Sequence, residues 1–190
     1  MKATLVLTGG IHCSRRLFAP EGRDTRPTRA LVREALFNML HGVCEGVQVL
    51  DLFAGSGALG FEAISRGAER ATFCDRRAEA IGVIRKNAAL LREENRCVFL
   101  LMDWHQALRQ LSARGQRFDL VFLDPPYGLD LFPVLEVLHS RGLLNPDAIL
   151  ALEHGGKADV TLPPNFTITR AKRYGESGIT LISPHREEKT

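Results

Sequence analysis

Residues 47–60 read VQVLDLFAGSGALG, an apolar run and an acid followed by glycines at 55, 57 and 60 in the spacing G-x-G-x-x-G. An apolar run closing on such glycines, with a helical pattern over 58–66 behind it, predicts a strand–turn–helix unit whose bare backbone a ligand can approach. Asp75 falls 20 residues after Gly55, at the end of the next apolar run. An acid there is placed to accept hydrogen bonds from a ribose diol. Glycines and acid together predict a nucleoside-bearing ligand, either a dinucleotide or S-adenosylmethionine. The loop alone does not choose between them.

Outward from this unit the same alternation continues. Apolar runs at 47–52, 71–75, 97–101, 118–123 and 148–153 are separated by helical stretches near 58–66, 77–92, 104–114 and 131–140. Continuous apolar strands between helices predict a parallel sheet covered on both faces. The tail departs from it, with 166–174 and 178–183 flanking Gly175-Glu176-Ser177 as an antiparallel hairpin. At the other end, residues 3–8 predict a short strand, and Gly9-Gly10 opens an arginine-rich loop to Pro27. A helix over 29–40 follows, with Leu31, Ala35, Leu36, Met39 and Leu40 as its apolar face and Arg29, Arg33 and Asn38 off it. The expected architecture is α/β, a doubly wound Rossmann-like sheet with a C-terminal antiparallel hairpin. Residues 1–27 would be a basic extension and 28–190 the domain proper.

The fourth apolar run ends in Asp124-Pro125-Pro126-Tyr127. In a parallel sheet the carboxyl ends of the strands face the ligand crevice, which sets this loop beside the glycines. Two consecutive prolines stiffen the chain and remove two donors. A stiff loop can aim a carboxylate, a carbonyl and an aromatic face at one planar substrate. An exocyclic amine of a nucleobase calls for that set, because its lone pair is delocalised until acceptors hold its hydrogens. Asp124 and the Pro125 carbonyl can take both hydrogens, and Tyr127 can stack on the base for about 1–3 kcal/mol. Of the two ligands the glycine loop allows, S-adenosylmethionine is the one that gives this loop a reaction.

Composition sets the outer bounds. At 190 residues, 45% hydrophobic and 25% charged, the chain has the make-up of one ordinary globular domain. Cys13, Cys44, Cys74 and Cys97 are too far apart for a zinc ribbon or knuckle, and no metal site is expected. Free thiols without a signal peptide fit a reducing cytoplasm, and no apolar run reaches the length of a membrane span. The net charge of +3 is uneven: residues 1–33 carry +5, which leaves −2 for the rest. A basic arm that includes Arg15, Arg16, Arg23, Arg26 and Arg29 is an electrostatic footprint for phosphate-bearing partners. Arg76-Arg77 reads as a solvated helix start, and Arg170, Lys172 and Arg173 as either RNA contacts or edge-strand charges.

DLFAGSGALG (51–60) with DPPY (124–127) resembles the class I S-adenosylmethionine-dependent methyltransferases that act on exocyclic amines. RPTRALVREALFNML (26–40), the TGG at 8–10, EAISRGA (62–68) and KRYGESGITLI (172–182) narrow the resemblance to the RsmD family, bacterial 16S rRNA guanine-N2 methyltransferases. The resemblance implies that the backbone of Ala54, Gly55 and Gly57 serves the cofactor's methionine portion, Asp75 its ribose, Asp103 its adenine amine and Trp104 its adenine ring, with Asp51 also in the cofactor site. Thr28 would approach the methionine end. Asp124, Pro125 and Tyr127 would hold the guanine, flanked by Pro126, with Arg15, Arg16, Arg26 and Arg29 on the RNA. It further implies action on 16S rRNA, in the small ribosomal subunit or an assembly intermediate; a monomer is the default expectation. His12-Cys13-Ser14 departs from the family's N-terminal loop. Three rivals share parts of the pattern: an adenine-N6 methyltransferase, a nicotinamide-dependent oxidoreductase and a non-catalytic RNA-binding module.

Overall fold

The computed structural model describes residues 3–20, 27–126, 128–155 and 161–185, with 3–4 and 27–29 as backbone only. A seven-stranded sheet carries the fold. Its strands are β3 (Gln48–Asp51), β4 (Arg70–Asp75), β5 (Cys97–Leu101), β6 (Phe118–Leu123), β7 (Leu144–Gly155), β8 (Phe166–Tyr174) and β9 (Ser177–Pro184). Their spatial order is β5-β4-β3-β6-β7-β9-β8, parallel from β5 to β7, with β9 antiparallel to both β7 and β8. The strand order reverses between β3 and β6, and the crevice outside their carboxyl ends is where ligands bind in open α/β sheets.

Alternation along each strand divides the core into two layers. Val49, Phe73, Phe122 and Leu181 face helices α1 (Pro27–Met39), α2 (Ala58–Ser65) and α3 (Ala78–Leu91). Leu50, Cys74, Val121 and Leu150 face α4 (Trp104–Ala113) and α5 (Phe132–Ser140). Helices on both faces of a mainly parallel sheet make the doubly wound architecture that the apolar runs predict. Gly175 takes φ +62° at the β8–β9 turn, where Tyr174 faces Ser177 and a two-residue hairpin loop needs positive φ.

Three expectations need correction. The loop to Pro27 contains a strand, β2 (Arg16–Phe18), which pairs antiparallel with β1 (Ala3–Val6) in a separate two-stranded sheet. Three residues beginning with arginine show no period of their own, so this strand is set by contacts to the rest of the fold. In α1 the buried face is turned from the one expected: Leu31 is 63% exposed, while Val32, Leu36, Phe37 and Leu40 are buried with Arg33. Arg33 goes in because Glu62 on α2 lies 3.7 Å from it and the Val6 carbonyl accepts from its Nη2 at 2.6 Å. Finally, β7 begins at Leu144, earlier than the apolar run at 148–153, with an irregular register where it joins β6.

Candidate active site

The glycine loop leaves β3 at Asp51 and is fixed by its own backbone. Leu52 N–H donates to the Phe122 carbonyl at 3.2 Å, Ala54 N–H to Cys74 at 2.9 Å, and Gly57 N–H to Ala54 at 2.7 Å. Gly55 (φ +57°) and Gly57 (φ +76°) occupy left-handed conformations, and Gly57 begins α2 as its N-cap. Gly60 has a different reason to be glycine: a Cβ there would sit 2.3 Å from the Phe73 ring. Asp51, 2% exposed, accepts from the Gly60 amide at 3.1 Å and supports the loop from behind.

Asp75 closes the loop from the next strand. Its Oδ2 accepts from the Gly55 amide at 2.9 Å, and its Oδ1 from the Arg77 amide at 2.9 Å. The Arg77 guanidinium adds Nε to Oδ1 at 3.2 Å and Nη2 to Oδ2 at 3.3 Å. Burial pushes this carboxyl up, but the bonds and charge of Arg77 together with the Gly55 amide outweigh it and hold the group below the ordinary carboxylate value. Arg77 is therefore more than a solvated helix start: it is the N-cap of α3 and the partner of the predicted ribose acid.

A cavity of about 350 Å³ opens beside this carboxylate, a size that suits a small-molecule site. Asp75, Asp103 and Trp104 line it together with Leu52, Phe53 and Pro126. Asp103 is the N-cap of α4, its Oδ1 accepting from Gln106 N–H at 2.9 Å, which fixes the carboxylate at the rim. Trp104 follows as the first helical residue, partly buried against the α4–α5 layer.

Parallel pairing of β3 with β6, Asp51 opposite Phe122, carries the Asp124 loop to the same end of the sheet as the glycines. Asp124 and Pro125 are half-buried, whereas Pro126 is exposed and lines the cavity. The loop turns back with Leu129 N–H donating to the Pro126 carbonyl at 3.2 Å, and Gly128 takes φ +84° within that turn. Tyr127 and Arg26 lie outside the described residues, and Thr28 and Arg29 are described only as part of the backbone of α1.

Comparison with known proteins bears directly on this arrangement. A family model described as conserved hypothetical protein 95 matches residues 5–183. The ribosomal RNA small subunit methyltransferase D of Escherichia coli strain K12 is 35% identical over 177 residues, covering 92% of this chain and 87% of its own. The chain belongs to the RsmD family. The solved structure of yhhF from Escherichia coli matches this RsmD-family fold with a TM-score of 0.84 at 31% identity, covering 96% of this chain and 99% of its own. A SAM-dependent methyltransferase from Agrobacterium tumefaciens matches with a TM-score of 0.57 at 26% identity, over 70% of this chain and 46% of its own. The fold is that of the class I methyltransferases.

The N-terminal segment of this RsmD-family chain is anchored to the site by residues that sequence reasoning passed over. Asn87, fully buried on α3, accepts from Phe18 N–H at 2.8 Å and donates to the Phe18 carbonyl at 3.0 Å and the Ser56 carbonyl at 3.1 Å. One amide thus ties β2 to the glycine loop. Glu62, also fully buried, accepts from the Thr8 amide at 2.9 Å, the Thr8 hydroxyl at 2.8 Å and Arg66. The TGG segment is a docking element: Gly10 has φ +74°, and a Cβ there would lie 1.7 Å from the Ser65 carbonyl oxygen. His12 bonds Glu93 at 2.7 Å, so this residue of the loop is an internal anchor. Arg15 and Arg16 are exposed on the same segment. Polar residues inside helical apolar stretches, Asn87 and Glu62 among them, were the available signal.

Proposed function

We propose that this chain transfers a methyl group from S-adenosylmethionine to the exocyclic N2 of a guanine in 16S rRNA, acting as a monomer on the small ribosomal subunit or an assembly intermediate. The observation that carries the reading is the single cavity in which Asp75, Asp103 and Trp104 meet Pro126 of the Asp124 loop. A nucleoside site and an amine-holding loop then share one space. The name of the Escherichia coli relative supports rRNA of the small subunit as the target, and the SAM-dependent neighbour supports the cofactor.

The residues present fit that cofactor. Asp75 offers a carboxylate already oriented by the Gly55 amide, Asp103 a second acceptor at the rim, and Trp104 an indole wall for a purine. Ala54, Gly55 and Gly57 present backbone with little side chain to obstruct the methionine portion, which Thr28 in the first turn of α1 would approach. Asp51 serves the same end indirectly, through the loop it holds. When bound, S-adenosylmethionine supplies an electrophilic methyl group on a sulfonium.

The protein's own contribution is to position and to hold. Asp124 and the Pro125 carbonyl accept the two N2 hydrogens and draw the nitrogen lone pair out of conjugation and toward the methyl. Acceptors fixed before reaction lower the barrier without reorganising during it, and bringing two reactants into line accounts for most of the remaining acceleration. Tyr127 stacks on the extruded base. Asp124 need not be a strong base, because the amine becomes acidic once methylated and its proton can pass to solvent. Arg15, Arg16, Arg26 and Arg29 meet phosphates around the target and set register rather than chemistry.

The test is transfer of tritiated methyl from S-adenosylmethionine to small subunits from a strain lacking the enzyme, beside naked 16S rRNA and unmethylated DNA. Digestion and chromatography then identify the labelled nucleoside. Label in N2-methylguanosine of 16S rRNA is the expected result. Label in N6-methyladenine, or no transfer to any of the three, overturns the reading.

A further inference from the structure

The β6–β7 ladder ends on the pair Leu123 and Leu152, so Asp124 and Glu153 are the residues that follow that pair on the two neighbouring segments. Ala151 faces the α1–α3 layer and Leu152 the opposite one, so alternation along β7 returns Glu153 to the α1 side, where its β9 neighbour Ile179 also packs. Glu153 is half-buried there. Behind it stands the buried guanidinium of Arg33, which feels the charge of both Glu62 and Glu153. Glu62 also accepts from Thr8 and Arg66. Glu153 thus stands near a buried guanidinium, at the strand end beside the loop proposed to grip the target amine.

Two carboxylates side by side are more than a single amine requires. Guanine presents two adjacent donor groups on its Watson–Crick edge, the N2 amine and N1–H. Adenine presents its N6 amine beside an N1 lone pair, which a carboxylate repels. We infer that Glu153 accepts the N1–H of the target guanine while Asp124 and the Pro125 carbonyl hold N2, so that the pair reads guanine rather than any exocyclic amine. This rests on the guanine-N2 reading above and adds a specificity determinant to it. A site built to bond a donor penalises an analogue that lacks it far more than a loose pocket does, since a buried acceptor is left unpaired.

The test uses small subunits reconstituted with 16S rRNA carrying 2-aminopurine at the methylated position located by the labelling experiment. This base keeps the N2 amine and replaces N1–H with a lone pair. The wild-type protein should prefer guanine by about 100-fold or more in kcat/KM. In Glu153→Gln the amide can donate to N1, so the preference should fall at least about tenfold, with 2-aminopurine gaining in absolute rate. A purely structural role would slow both substrates by one factor and leave their ratio unchanged, which overturns the inference. So does a wild-type protein that methylates both bases equally, a result that needs no variant to fold. Absence of N2-methylguanosine with the natural substrate marks failure of the guanine reading itself, and is seen before any analogue is made.

Discussion

The amide of Gly55 donates to Oδ2 of Asp75 at 2.9 Å, joining the glycine loop after β3 to the acid that ends β4. This bond shapes the loop and leaves the carboxylate lining the cavity, so one residue serves the fold and, in the proposed function, the cofactor. Its folded-state acidity is held below the ordinary carboxylate value of about 3.9. For such a group the stabilisation is fully present above the unfolded value and is lost as pH falls through the lowered one. Asp75→Asn should therefore lower Tm at pH 7, and its deficit relative to wild type should shrink below about pH 4. Melting curves from pH 7 to pH 2 check this, and a deficit independent of pH would refute it.

The glycines at 10 and 60 should tolerate alanine poorly for different reasons. Gly60→Ala forces a methyl into the Phe73 ring, and overpacking of this kind costs about 1–3 kcal/mol. Gly10→Ala meets rigid backbone at Ser65 and also strains a positive φ, so its cost should be the larger. Chemical denaturation of the two variants ranks them; the reverse order contradicts the account.

Asn87→Ala removes three hydrogen bonds at once and leaves buried partners at Phe18 and Ser56. At about 1 kcal/mol each, with a further cost for unsatisfied groups, the loss should be about 3–5 kcal/mol. Hydrogen exchange should locate it, with the Phe18 amide losing protection while the centre of β4 keeps its own. Uniform loss across the chain would show that β1 and β2 are not held through this residue.

Thiol reactivity should separate one cysteine from the other three. Burial pushes the thiols of Cys44, Cys74 and Cys97 up to about 11, about 12 and about 12, whereas Cys13 is exposed. At pH 8 an alkylating reagent should modify Cys13 first and the others only on unfolding. Peptide mapping after a short pulse checks the order.

Much of this was legible in the sequence because parallel strands buried on both faces are written as unbroken apolar runs, as at 118–123. The glycines and Asp75 could be read because their spacing follows from one βαβ unit. Arg33 and Leu31 could not. A charged side chain counts as an outward one in any periodicity argument, and only the nearby Glu62 and the Val6 carbonyl turn it inward. The strand at Arg16–Phe18 was hidden for a related reason, since it is fixed by pairing with β1 and by the bonds of the Phe18 backbone to Asn87, distant in the chain. The role of Arg77 on Asp75 was equally invisible, because a side chain two residues from an acid reads the same whether it turns back or points to water.

The central claim is that one carboxylate holds the cofactor and another the target amine. Cofactor titration of Asp124→Ala, run beside single-turnover transfer at saturating S-adenosylmethionine, tests it most directly. Affinity close to wild type with transfer slowed about 100- to 1,000-fold is the predicted result. Weakened cofactor binding with transfer at the wild-type rate once saturated would contradict it.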